Sequence, residues 1–306
     1  MSRRARSVML RGVPVVVVSL LVMLGVVVSS AFAAPQGIFS IYAQCPTGTP
    51  GVTLCVFGQT TSGELSIGST EVPIDKTITV QGGAIPTGNP EDPREYFLVP
   101  AQNGESLSKT ELNVPGGLLN KGDCGEIRGR GFLERIARGA CRAIARSRAT
   151  WLTATTELLA SEKDPAVFDF GALARETGAA LTLPVRIHLK NPFLGKACYI
   201  GSPTNPIQLH LTTGASGNAH GKLGEVETLE EQEQLQLRVF DNSLVDNSFA
   251  APGAEGCGDL GFIKGYLDSI IDAKLKIPNN PGANTVVLNG ELKAATPEAI
   301  LASETF

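Results

Sequence analysis

AALTLPVRIHL, residues 179–189, places Leu181, Leu183, Val185, Ile187 and Leu189 at alternate positions, with Thr182, Arg186 and His188 between them. That is the period of a strand with one face buried. PIQLHLTTG (206–214) repeats it with Ile207, Leu209 and Leu211 against His210. On the N-terminal side, VTLCVF (52–57), GELSIG (63–68), KTITVQ (76–81), EYFLVP (95–100) and SKTELNVPGGLL (108–119) read as short strands between turn formers, as do WLTATTELLA (151–160) and PAVFDF (165–170). QLQLRVF (234–240) and NTVVLNGEL (284–292) extend the pattern toward the C-terminus, before an alanine-rich tail. GGAIPTGNPEDPRE (82–95), with three prolines, reads as loop, and GEVETLEEQEQ (224–234) as a short helix or solvated turn.

Two segments carry helical spacing instead. In GFLERIARGACRAIARSR (131–148), Leu133, Ile136, Ala137, Ala140, Cys141 and Ile144 share a face. In DLGFIKGYLDSIIDAKL (259–275), Leu260, Ile263, Leu267, Ile270 and Ile271 do so, with Asp259 placed to cap the start and Pro278 beyond the end. The expected fold class is mainly β, an antiparallel sandwich or open barrel with two peripheral α-helices, stabilised by disulfides.

Residues 1–33 read as an export signal. Arg3, Arg4, Arg6 and Arg11 precede an apolar run at 13–28, and Ala31 and Ala33 occupy the small-residue positions that predict cleavage before Ala34. A retained signal anchor is the rival reading, since the run approaches membrane-spanning length. The general secretory route fits better than a twin-arginine route, because Ala5 and Arg6 match that signal poorly. Residues 34–306 are then expected to be one secreted β-rich domain, with a basic helical insertion near 121–150.

Removing the leader takes four of the 26 basic residues and no acid, leaving 22 against 30 acidic ones. An acidic surface argues against nucleic acid, whose binders draw affinity from neutralising phosphates. No later apolar run reaches membrane-spanning length, so no transmembrane segment is expected after cleavage, and localisation should be secreted or envelope-associated. The six cysteines Cys45, Cys55, Cys124, Cys141, Cys198 and Cys257 all follow the leader. An even number in an oxidising compartment predicts three disulfides rather than a metal cluster, which would need closer spacing. Sequence proximity suggests Cys45–Cys55 and Cys124–Cys141, leaving Cys198–Cys257, although six thiols allow fifteen pairings.

LPVRIHLKNPFLGKACYIGSPTNPIQLHLTTG (183–214) and NSLVDNSFAAPGAEGCG (242–258) resemble a family of exported actinobacterial proteins of unassigned function. VPGGLL (114–119), TATTEL (153–158) and NTVVLNG (284–290) fit the same pattern. The resemblance implies export and a two-cysteine core, and it carries no catalytic residues. The arginine-rich helix is not part of what it leads one to expect.

Candidate sites are few. Arg135, Arg138, Arg142 and Arg146 form a basic stripe suited to anionic lipid or a phosphate-bearing envelope polymer, or to pairing with the domain's own carboxylates. His188 and His210 would bind a metal with a carboxylate if their strands were neighbours, and otherwise are solvent-facing strand residues. Asp241 and Asp246, each opening an Asp-Asn-Ser, would serve as acid and base in glycoside cleavage, but that tripeptide is also turn chemistry. Motifs for a nucleophile elbow, zincin, phosphate loop or calcium loop are missing, and no cofactor is expected. The leading expectation is therefore a non-enzymatic exported binding or structural protein. A secreted hydrolase and a membrane-surface attachment through 131–148 are the alternatives.

Overall fold

The alternating segments become the strands of a single large antiparallel sheet. The computed structural model describes residues 34–118, 150–258 and 264–305, with positions 131, 135, 136, 139 and 142 between them. After a 3-10 helix at Gly37–Tyr42 come β1 (Leu54–Ile67), β2 (Thr70–Ile74), β3 (Ile78–Pro86), β4 (Glu95–Pro100), β5 (Glu111–Asn113), β6 (Thr153–Leu158) and β7 (Val167–Asp169). Helix α1 (Phe170–Arg175) leads to β8 (Leu181–Lys190), β9 (Tyr199–Ile200), β10 (Ile207–Leu211), β11 (Ala215–Ser216) and β12 (Ala219–His220). The chain closes with β13 (Glu225–Glu231), β14 (Gln234–Asp246), β15 (Ala254–Glu255), α2 (Lys264–Leu275), β16 (Asn284–Ala295) and α3 (Pro297–Ser303).

The strand order is β13-β14-β16-β1-β3-β4-β7-β8-β6-β5, with β2 added on β1, and β9 and β10 on β8. The sheet is not closed into a barrel: β13 and β5 remain its edges. Thr212, just past β10, bridges to Val245 of β14 and brings the β8 side back against the β14 side. Apolar residues from both halves, among them Ile67, Phe168, Leu183, Ile187, Leu211 and Val286, form one buried cluster. Stripes of alternate apolar residues on a twisted sheet are hidden from water when the sheet curls over itself.

Two of the expected disulfides are present, Cys45–Cys55 and Cys198–Cys257. Stable sulfur bridges are those of a protein that matures in an oxidising compartment. Cys124 and Cys141 lie outside the described residues. No described helix is long and apolar enough to cross a membrane. Of the basic helix, Arg135, Ile136, Gly139 and Arg142 are described, each helical and exposed, while Arg138 and Arg146 lie outside the described residues.

Several local expectations need correction. VTLCVF and GELSIG are one strand, β1, carried past a bulge between Thr60 and Ser62. Gly82–Pro86, expected as loop, finishes β3 against β4. The close approach requires glycine there, because a Cβ on Gly82 would stand 2.3 Å from the Val99 carbonyl oxygen. The acidic stretch 224–234 is an edge strand, not a helix. β13 pairs with β14 along its length through a turn whose Gln232 and Glu233 both have positive φ (48° and 65°). Its glutamates suit an unpaired edge that must not recruit another chain. Helix α1 is only six residues long, and its first turn is capped by the Asp169 side chain, which accepts from the Ala172 N–H at 2.8 Å. The tail forms α3, with Thr296 as cap and Pro297 at its first turn.

Candidate functional site

Between the two halves of the sheet lies a cavity of about 110 Å³. Its wall is apolar: Ile78 and Val80 from β3, Leu181, Val185 and Ile187 from β8, Leu209 from β10 and Val286 from β16 all line it. Native interiors are close-packed, so a void of this size is not an ordinary by-product of folding. At about 24 cal/mol per Å³, leaving it empty forgoes about 2.6 kcal/mol of stability. It approaches in size the engineered apolar cavity, about 150 Å³, that stays dry and takes up benzene.

Five polar residues, Gln59, Thr60, Thr156, Asn242 and Glu291, also line this cavity. Two of them come from a local break in the sheet. β1 shifts register between Thr60 and Ser62, and β14 between Val239 and Asn242, on either side of β16. Gly290 of β16 pairs with Thr60 on one side and Asn242 on the other. Any Cβ on Gly290 would stand 1.8 Å from the Gln59 carbonyl oxygen, so the doubled bulge requires glycine. Asp241 takes up the extra residue in β14 at φ 53°, a conformation that aspartate tolerates better than most residues. The bulge switches the phase of β14. Val239 pairs with Leu292 on the cavity side, and two strand positions later it is Asn242, not Asp241, that faces inward. Asn242 is 6 % exposed and lines both this cavity and a neighbouring polar cleft.

A polar cleft of about 510 Å³, lined by Arg238, Asp241, Asn289 and Ser62, shares Asn242 and Glu291 with the cavity wall. Arg238 bridges two carboxylates here, at 2.8 Å from Glu227 and 2.8 Å from Glu291, and Lys293 reaches Glu291 at 2.8 Å. Burial pushes the Glu291 carboxyl up, but hydrogen bonds from Lys293 and Arg238 outweigh it, so the group titrates below the usual carboxylate range. A depressed folded pKa means a contribution present above the unfolded value, about 4.3, and lost as pH falls through the folded value. Glu291→Gln should therefore lose stability against wild type at pH 7, and the gap should narrow as pH drops below about 4. Urea titrations at a series of pH values check this.

The sequence-predicted candidates are placed differently from the cavity. His188 and His210 lie on the same face but are not neighbours. His210 pairs with Thr182, and His188 sits six residues further along β8, about 20 Å away. Their strands are neighbours, yet this offset keeps the two histidines from sharing a metal, so the two-histidine alternative is not assembled. The His188 ring stacks on Tyr199 with centroids 4.5 Å apart, Nδ1 is 3.5 Å from Glu157 Oε1 and Nε2 is 3.1 Å from the Lys196 carbonyl oxygen. Arg186 bonds Glu157 at 2.7 Å and lies 3.9 Å over the same tyrosine ring. Lys190 hydrogen-bonds Glu111 and holds that carboxyl below its usual range. These residues tie β5, β6, β8 and β9 together on the sheet's outer face. Thr155, between Glu111 and His188 in that ladder, has a buried hydroxyl without a hydrogen-bond partner among the described residues. Among the described residues no group of three or more His, Cys, Asp or Glu side chains is arranged to hold a metal ion.

The two Asp-Asn-Ser tripeptides are not a pair of like turns. The first is the β14 bulge. The second, Asp246-Asn247-Ser248, is a buried anchor at the end of that strand. The Asp246 carboxylate accepts from the His210 N–H (2.7 Å), the Ser248 N–H (2.6 Å), the Ser248 hydroxyl (2.6 Å) and the Ser216 hydroxyl (3.2 Å). Fully buried and surrounded by donors, it is held in place rather than offered to a substrate. The cavity residues Thr60 and Asn242 were not legible as a site, because only the bulges reveal which way they face.

Comparison with protein-family models, with curated proteins and with solved structures finds no match for this chain.

Proposed function

We propose that this chain is an exported, non-catalytic binding protein that holds a small apolar molecule within its β body. The observation that carries the reading is the 110 Å³ apolar cavity between the two halves of the sheet. Ligand sites are typically concave and apolar with a few polar groups for orientation, and the cavity follows that plan at small scale. Export is supported by the basic-apolar-small pattern of residues 1–33, by two disulfides and by the resemblance to exported actinobacterial proteins. Its partner is then a hydrophobic solute or chain terminus met outside the cytoplasm.

The test is stabilisation by small apolar probes. Toluene in excess should raise the thermal midpoint of the disulfide-intact protein, because a ligand that binds only the native state stabilises it by mass action. Ala180→Leu puts three further carbons against the cavity wall. It should stabilise the unliganded protein by about 1 kcal/mol, since it fills part of the void, and should abolish the response to toluene. A wild-type midpoint indifferent to toluene and to similar apolar probes would remove the reading.

A further inference from the structure

We infer that the cavity ligand is an uncharged molecule carrying one hydrogen-bonding group, a hydroxyl or carbonyl, that docks on Asn242 with Thr60 beside it. The inference rests on the cavity being a binding site and adds which chemistry that site selects. Asn242 is more than nine-tenths buried and lines the mostly apolar cavity where that cavity meets the polar cleft, so its amide is placed to bond a group entering from either side. Native proteins pair amides at such positions with protein, water or ligand. Thr60, on the other side of Gly290, adds a hydroxyl that both donates and accepts. The rest of the wall is aliphatic or aromatic save for Thr156 and the sheet residues around the bulge.

Charge is excluded by the same geometry. The ionisable side chain in the wall, Glu291, is committed to Arg238 and Lys293. An ionised ligand group would lose its water without gaining a counter-charge, and that penalty exceeds what a single amide returns. An amide with both donor and acceptor serves a neutral hydroxyl or carbonyl equally well. The cavity's size limits the apolar part to about a single ring or a short alkyl chain.

Four ring compounds of one shape separate the outcomes: toluene, benzyl alcohol, benzoate and benzylammonium, each titrated by calorimetry into the disulfide-intact protein. Wild type should bind benzyl alcohol at least as tightly as toluene, although the alcohol is the less hydrophobic of the two. Neither ion should bind detectably. Asn242→Leu should weaken the alcohol about tenfold or more and leave toluene unchanged or tighter. Benzoate or benzylammonium binding as well as the alcohol, or an alcohol affinity unaltered in Asn242→Leu, would overturn the inference while leaving the apolar site standing. Toluene binding well with the alcohol far weaker in wild type would overturn it too, and needs no variant. If neither neutral probe binds wild type, the apolar-ligand reading itself falls, and this one with it.

Discussion

Asp246→Asn should lower the stability of this protein by about 3 kcal/mol, with a fall in thermal midpoint on the order of 10 °C. The carboxylate is fully buried and meets only donors: one oxygen takes the His210 N–H, and the other takes the Ser248 N–H, the Ser248 hydroxyl and the Ser216 hydroxyl. Asparagine keeps the shape but turns one acceptor into a donor, so an N–H must face an N–H and the charge-assisted bonds are lost. The effect extends beyond one residue, because Ser216 also accepts from the Asn247 N–H at 2.8 Å. Asn247 in turn donates to the Asn284 carbonyl oxygen at 2.6 Å. Asn284 then holds the Phe249 carbonyl oxygen and Asn279, so the network joins β10, β14, β16 and the segment before α2. Ser248→Ala removes one hydroxyl donor and leaves the acceptor satisfied by the others, so it should cost about 1 kcal/mol. Urea denaturation of both variants checks the ratio. Equal losses would mean that the carboxylate is not the hub.

Removing the Cys198–Cys257 bridge should cost about 4 kcal/mol, against about 3 for Cys45–Cys55, because the loops they close span 59 and 10 residues. The longer closure restricts the unfolded chain more. Native contacts add to the difference. Cys257 and its neighbours seat β15 on β9, and Asp268 and Asp272 of α2 accept from the Cys257 and Ala254 N–H groups at 2.8 and 2.7 Å. Cys198→Ser/Cys257→Ser should therefore loosen α2 as well as lower the urea midpoint, whereas Cys45→Ser/Cys55→Ser should act on the small cluster beneath the 3-10 helix. Hydrogen exchange of α2 amides in the two double variants separates these effects. Equal protection of α2 in both would contradict the assignment.

Much of this architecture was legible from residue pattern alone. AALTLPVRIHL, PIQLHLTTG, EYFLVP and NTVVLNGEL are strands because an alternate apolar row leaves water only when laid on a sheet face. GEVETLEEQEQ misled for a physical reason: glutamate is depleted in strands generally, but an edge strand tolerates it, and pairing with β14 overrides local preference. The six-residue α1 carries too few apolar positions to show a period, and it is held by the Asp169 cap and by tertiary packing. Asp241-Asn242-Ser243 reads as a turn because these side chains favour bent backbone, yet β16 pairs with Asn242 and Ser243 and confines that tendency to a one-residue bulge.

What the sequence displayed by itself is local: the β class, the positions of most strands, and the closeness of Cys45 to Cys55, which form a disulfide. Each depends on spacing along the chain, which the sequence displays directly. Tertiary structure alone decided that His188 and His210 stand apart on β8 and its neighbour, that Asp246 is a buried anchor, and that Asn242 faces an apolar void. Those outcomes follow from register between strands distant in sequence. A single bulge residue turns every later side chain to the opposite face, and nothing in the alternation itself marks where that happens.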